Sequence, residues 1–160
     1  MSENSYPQRK KIRLDSAIYS EQAAICSITI ALLNRTPLFT DHAFTHDSIS
    51  LLRLEAETTG VAVHAYCFMP DHLHLLLSPS PQVSLIDFLR ALKGRSTRMA
   101  WQYGYQGKIW QRSFYDHFLR KGEDVHRVVE YILNNPVRQE MVNDWQEYPF
   151  SGSLVYNIKE

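Results

Sequence analysis

The sequence predicts an α+β domain on the split β-α-β, ferredoxin-like plan, an antiparallel sheet with helices packed on one face. Three observations carry that expectation. The hydrophobic pattern changes period in the order strand, helix, strand, strand, helix, strand, helix. Pro70 and Asp71 separate two apolar runs and mark a hairpin. No repeat, low-complexity tract or long linker interrupts the 160 residues, which read as one domain with a basic arm at 1–20 and a tail at 143–160.

Each element follows from local chemistry. Ala24 to Leu33 is rich in Ile, Thr and Ala and reads as the first strand, followed by a loop from Asn34 to Thr40 that contains Pro37. Residues 43–58 place Ile49, Leu51, Leu52 and Leu54 in a helical pattern, and Gly60 stops it. Val61–Met69 and His72–Leu77 are the two arms of the hairpin, and Ser78–Gln82 is a proline-containing loop. Ser84 is the expected N-cap of a helix from Leu85 to about Tyr103, with Leu85, Phe88, Leu89, Leu92 and Met99 inward. Gly94 weakens that helix in its middle.

Gly104 and Gly107 mark a loop, and Ile109–Trp110 begins a short extended piece. Ser113 to Arg120 is the candidate fourth strand, and Lys121–Gly122 turns the chain. The last helix starts at Glu123 or Asp124, buries Val128, Val129 and Ile132, and ends near Asn134. Pro136 bars the preceding residue from helical geometry. The aromatic tail from Trp145 to Tyr156 packs on the body.

Composition excludes several classes. At 44% hydrophobic and 21% charged the chain is ordinary globular material. Cys26 and Cys67, both in predicted strands, are too few for a cysteine metal cage and suit a reducing compartment. The polar, basic start is no signal peptide, and the run from Ile25 to Leu33 is too short to span a bilayer. A cytoplasmic protein without a membrane partner is expected. Net charge is zero, yet the cations cluster. Arg9, Lys10, Lys11 and Arg13 form one group, and Arg90, Lys93, Arg95 and Arg98 another.

Two motifs carry chemistry. His72 and His74 are two apart on a strand, so both imidazoles share one face while Leu73 and Leu75 take the other. Two neutral imidazoles side by side form a bidentate platform for a divalent metal. Tyr131 and Asn135 are four apart at the end of the last helix and share its face. A phenol can act as covalent nucleophile on phosphorus, and an asparagine carbonyl can be a third metal ligand. Tyr115, beside Asp116 and His117, is a rival nucleophile, and chemistry alone does not separate the two tyrosines. A histidine-triad hydrolase would need a third histidine where Leu76 stands.

The segments MPDHLHLLLSP, WQRSFYDHFLR and YILNNPVRQEMV, in that order, resemble the REP-associated tyrosine transposases, within the single-tyrosine HUH (His-hydrophobe-His) group. The likeness runs from the first strand to the WQEYPFSGS tail. It implies the fold derived above, His72 and His74 as metal ligands for Mg²⁺ or Mn²⁺, and Tyr131 as nucleophile. Asn135 falls where related enzymes place a polar ligand that is often Gln. Tyr115, Asp116 and His117 then become supporting residues. The implied activity is metal-assisted cleavage and rejoining of single-stranded or hairpin DNA through a 5′-phosphotyrosine, in a cytoplasmic, nucleoid-associated protein.

Arg90, Lys93, Arg95, Arg98, Arg112 and Arg120 are candidate phosphate contacts, and Trp101, Trp110 and Phe114 candidate stacking surfaces for unpaired bases. A non-catalytic hairpin-binding relative is the alternative. Monomer and homodimer are both compatible with the sequence.

Overall fold

The computed structural model describes residues 24–158, and the basic cluster from Arg9 to Arg13 lies outside them. Its elements are β1 (Cys26–Ala31), α1 (His42–Thr59), β2 (Ala62–Met69), β3 (His72–Ser78), α2 (Leu85–Gln102), β4 (Tyr115–Phe118), α3 (Val125–Leu133), a single turn α4 (Asn135–Arg138) and β5 (Ser151–Gly152). The five strands run in the order β4-β1-β3-β2-β5, and each pairs antiparallel with its neighbour. The first four strands and two helices give the predicted split β-α-β plan.

Period-two alternation sorts the sheet into two faces. Ile28 stands opposite Leu75, Ile30 opposite Leu73, and Phe68 opposite Leu73 on the other side. All are buried, and they meet α1 and α2 through Phe39, Phe44, Leu52, Phe88 and Leu92. Phe39 bridges the layers, stacking on Phe44 and set edge-on to Phe68. The opposite face carries Thr29, Cys67, His72, His74 and Leu76. Here α3 packs over β2 and β3 with Val129, Ile132 and Leu133 inward. The long helices therefore close one face of the sheet, and the short α3 covers part of the other.

The caps explain the boundaries. Asp41 accepts from Phe44 N at 3.1 Å, Ser84 from Asp87 N at 3.2 Å and Asp124 from His126 N at 2.9 Å. Gly60 ends α1 at φ 77°, a left-handed conformation glycine adopts without strain. Inside, Glu55 is almost fully buried on α1 and paired with Arg95 of α2. Removing Arg95, which is half-exposed, would strand the buried Glu55 carboxylate between the helices.

Two elements go beyond expectation. The last predicted helix ends where expected, α3 stopping at Leu133 with Asn134 as its cap, but a further turn, α4, starts at Asn135 with Pro136 in its first turn, where a missing N–H costs nothing. The tail also adds a fifth strand, with Gly152 opposite Tyr66 and Ser151 opposite Cys67. The Tyr148 hydroxyl donates to the Phe68 carbonyl beside it. A Cβ on Gly152 would lie 2.8 Å from the Tyr66 hydroxyl oxygen, so any larger residue there must displace the Tyr66 ring.

Candidate active site

The hairpin turn places the histidines. Met69 pairs with His72, leaving only Pro70 and Asp71 in the loop. That turn is held from outside: Leu32 N donates to Asp71 O at 2.9 Å, and Phe39 N to Pro70 O at 3.1 Å. His72 and His74 emerge from the first turn of β3 on the α3 face. Their rings stand nearly perpendicular, with Nε2 atoms 3.0 Å apart.

The other ring nitrogens are occupied. His72 Nδ1 lies 2.6 Å from Asp71 Oδ1, and His74 Nδ1 lies 3.0 Å from Thr29 Oγ1. A carboxylate can only accept, so His72 carries its proton on Nδ1 and presents a lone pair at Nε2. If the Thr29 hydroxyl donates to His74 Nδ1, His74 Nε2–H donates to His72 Nε2 across the 3.0 Å gap. If Thr29 instead accepts from His74 Nδ1, both Nε2 atoms turn lone pairs toward the same point, where a cation can take the place of that proton. This donor set fits a cation, with both imidazoles oriented through their far nitrogens as metal-binding histidines are.

Electrostatics keep both rings neutral. Burial pushes the His72 pKa down, against the opposing pull of Asp71. Burial, then the neighbouring His72, Arg138 and Arg35, push His74 down to about 3. Between the ordinary 6.5 and about 3, the unfolded chain takes up a proton at His74 that the folded chain excludes. Acidification through that window therefore destabilises the fold, and above it both nitrogens stay available as ligands.

Among the described residues, no group of three or more His, Cys, Asp or Glu is placed to hold a metal. Further donors must then be amide, water or substrate oxygen. Asn135 is buried at the start of α4, while Tyr131, one helical turn earlier, is 62% exposed. Arg138 joins the two parts of the site. Its guanidinium lies 3.8 Å from the centroid of the Tyr131 ring, and its charge is felt at His74. Arg35 approaches Asp71 Oδ1 at 3.7 Å. Neither arginine stood out in the sequence.

The other expected residues separate. Tyr115 is half-buried in a row with Thr29 and His74 on the histidine face, which preserves its standing as a neighbour. Asp116 sits opposite Ile28 and so belongs to the other face, which corrects its expected supporting place. His117 is exposed and bonded to Glu123 instead. Arg95 is half-exposed and paired with the buried Glu55. Trp110 is 7% exposed, with its Nε1 on Ser96 Oγ at 2.8 Å, so little of its ring is open to a base. Arg90 is exposed and paired with Asp87, and Arg120 is exposed where β4 leads into the turn before α3.

A groove of about 560 Å³ runs between α2 and residues 108–112. Lys93, Arg98, Lys108 and Arg112 line it, and no acid does. Lys93 Nζ bonds the Gln111 carbonyl at 2.9 Å and so ties the two walls together. Trp101 is half-exposed at the rim, its Nε1 anchored on Gly107 O at 2.8 Å. Gly94 is helical and needs no special φ. It lies in the groove wall, where a Cβ would meet Arg98 Nη1 at 3.7 Å. Leu33, at one end of the groove, follows Leu32, whose N–H holds the Asp71 turn. Groove and histidine pair therefore share one end of the sheet.

Asp71 gives a direct test of this arrangement. Asp71→Asn removes the obligate acceptor that fixes the His72 tautomer. Mn²⁺ affinity, read by calorimetry without DNA, is expected to fall about 10- to 100-fold. Unchanged affinity would show that the Asp71 contact does not orient a ligand.

Known proteins resemble the chain in sequence and in fold. The family described as "Transposase IS200 like" matches residues 22–135. A Haemophilus influenzae protein named as a REP-associated tyrosine transposase is 29% identical over 137 residues, 78% of this chain and 76% of that one. The Escherichia coli REP-associated tyrosine transposase is 29% identical over 56% of this chain and 52% of its own. The solved structure of a REP-associated tyrosine transposase bound to a REP hairpin superposes with a TM-score of 0.70 at 22% identity, over 89% of this chain and 82% of that one.

Proposed function

Since the chain belongs to the IS200-like transposase family, we propose that it cleaves and rejoins single-stranded DNA at or beside a hairpin, with Tyr131 as nucleophile. The observation that carries this is the convergence of two neutral imidazole Nε2 atoms, 3.0 Å apart, on the sheet face that α3 covers. His72 and His74 would hold a divalent cation, Mg²⁺ or Mn²⁺, with Asn135 as a further oxygen donor. Such an ion supplies Lewis acidity at the phosphate.

The chain's own residues do the rest. The Tyr131 oxygen forms a bond to phosphorus, and its proton passes to water. The 3′ oxygen leaves and takes up a proton, giving a 5′-phosphotyrosine and a free 3′-hydroxyl. The phosphodiester energy is kept in the tyrosyl ester, so another 3′-hydroxyl can reverse the step and join a new strand without ATP. Tyr131 is well exposed, as a residue that must meet DNA needs to be.

The basic groove is the assigned path of the unpaired strand. Arg98, Lys108 and Arg112 meet its phosphates, and the anchored Trp101 offers a face to a base. The REP hairpin bound by the structural relative suggests the same class of substrate here.

The test is a denaturing gel. Purified protein is incubated with hairpin oligonucleotides carrying single-stranded flanks, taken from repeats around its own gene, with Mg²⁺ or Mn²⁺. A covalent protein–DNA adduct that a chelator prevents is expected. Tight hairpin binding without any adduct would overturn the enzyme reading in favour of a binding module.

A further inference from the structure

The residue that links the two halves of the site is Arg138. The short helix α4, which starts directly after the Asn134 cap of α3, carries the chain on to Arg138, seven residues beyond Tyr131. Helical side chains tilt toward the N-terminus, so the guanidinium reaches back over the preceding turns. It comes to rest 3.8 Å from the centroid of the Tyr131 ring. Glu140, at φ 58°, then turns the chain away.

No carboxylate among the described residues pairs with Arg138, although Arg35, Arg90, Arg95 and Arg127 each have an acidic partner. It is an exposed cation whose observed neighbour is an aromatic face. A planar guanidinium lying on a ring keeps N–H donors at its edge, where they can still reach an anion. Arg138 closes the short helix α4 that Asn135 opens, so the guanidinium on the Tyr131 ring and the candidate amide ligand share one turn. A phosphate held near the histidines and attacked by Tyr131 would lie within its reach.

We propose that Arg138 binds a non-bridging oxygen of the phosphate that Tyr131 attacks, and by stacking on the Tyr131 ring fixes the direction of attack. The proposal rests on the reading of Tyr131 as nucleophile. Arg138 exchanges no proton or bond. It neutralises charge that grows on the non-bridging oxygens as the phenolic oxygen adds and the 3′ oxygen leaves.

The experiment follows adduct formation under single-turnover conditions at saturating hairpin DNA. Wild type, Arg138→Ala, Arg138→Lys and Tyr131→Phe are compared, each with an ordinary scissile phosphate and with each phosphorothioate diastereomer. Arg138→Ala is expected to slow cleavage about 100-fold while hairpin binding changes less than about threefold. Arg138→Lys should recover part of the rate, since it keeps the charge and loses the flat stack. Wild type should be slowed more by one diastereomer than the other, and Arg138→Ala should lose that preference.

A wild-type rate in Arg138→Ala would overturn the proposal. So would a slow variant that keeps the full diastereomer preference, since that marks a structural role alone. If Tyr131→Phe still forms the adduct, the nucleophile reading itself fails, whatever Arg138 does. Thermal unfolding of each variant checks the fold.

Discussion

Tyr131→Phe is expected to abolish the covalent adduct while leaving hairpin binding within a few-fold of wild type. The substitution removes one oxygen from a side chain that is 62% exposed, so neither packing nor stability should suffer. Loss of a nucleophile in comparable covalent mechanisms costs on the order of 10⁶-fold, which puts the residual rate below what a gel detects. Tyr115→Phe is the informative control. Tyr115 occupies the same face of the sheet, in register with Thr29 and thus with His74. If Tyr115→Phe abolishes the adduct and Tyr131→Phe does not, the roles are reversed and the β4 tyrosine is the nucleophile.

His72→Ala is expected to show the second largest effect. It deletes one of two converging nitrogens and leaves Asp71 without its imidazole partner. Mn²⁺ affinity measured without DNA should fall by more than about 100-fold, beyond the loss expected from disturbing a supporting contact. Cleavage should fall with it and recover in part at high Mn²⁺. His74→Ala should resemble it, with Thr29 as the group left unpartnered. Wild-type Mn²⁺ affinity in both variants would remove the cation from this end of the sheet.

Much of the fold was legible because the signals are local. Ser84 and Gly60 sit where helix chemistry puts an N-cap and a stop, and both do that job. Parity along β3 placed His72 and His74 on one face before any tertiary contact was considered. The fifth strand was not legible, because two residues carry no period and its cause is a pairing with Tyr66.

Arg138 was hidden by Pro136. The proline correctly signals a broken helix, but a proline is also welcome in the first turn of the next one. The cationic residues of α2 could not be sorted from sequence. Arg95 belongs to Glu55, forty residues earlier, and Lys93 ties down a loop carbonyl eighteen residues later. Trp110 reads as a stacking surface until packing against the core leaves it 7% exposed, where Trp101 keeps 50%. Asp116 faces the opposite way from Tyr115 as strand alternation requires, and which of the two meets the histidine face is set by the register with β1.

The two-residue turn at Pro70–Asp71 has a consequence for how this chain can change. Its length fixes the pairing of Met69 with His72, and that pairing sets which side chains of β3 face α3 and which meet α1 and α2. One residue gained or lost there would turn His72 and His74 into the apolar layer and push Leu73 and Leu75 out of it. Chemistry and core would fail in the same step, with no half-working intermediate between them. Length variation in descendants of this chain is therefore confined to loops such as 104–107, where Gly104 and Gly107 have open space around them. The hairpin can drift in composition but not in length.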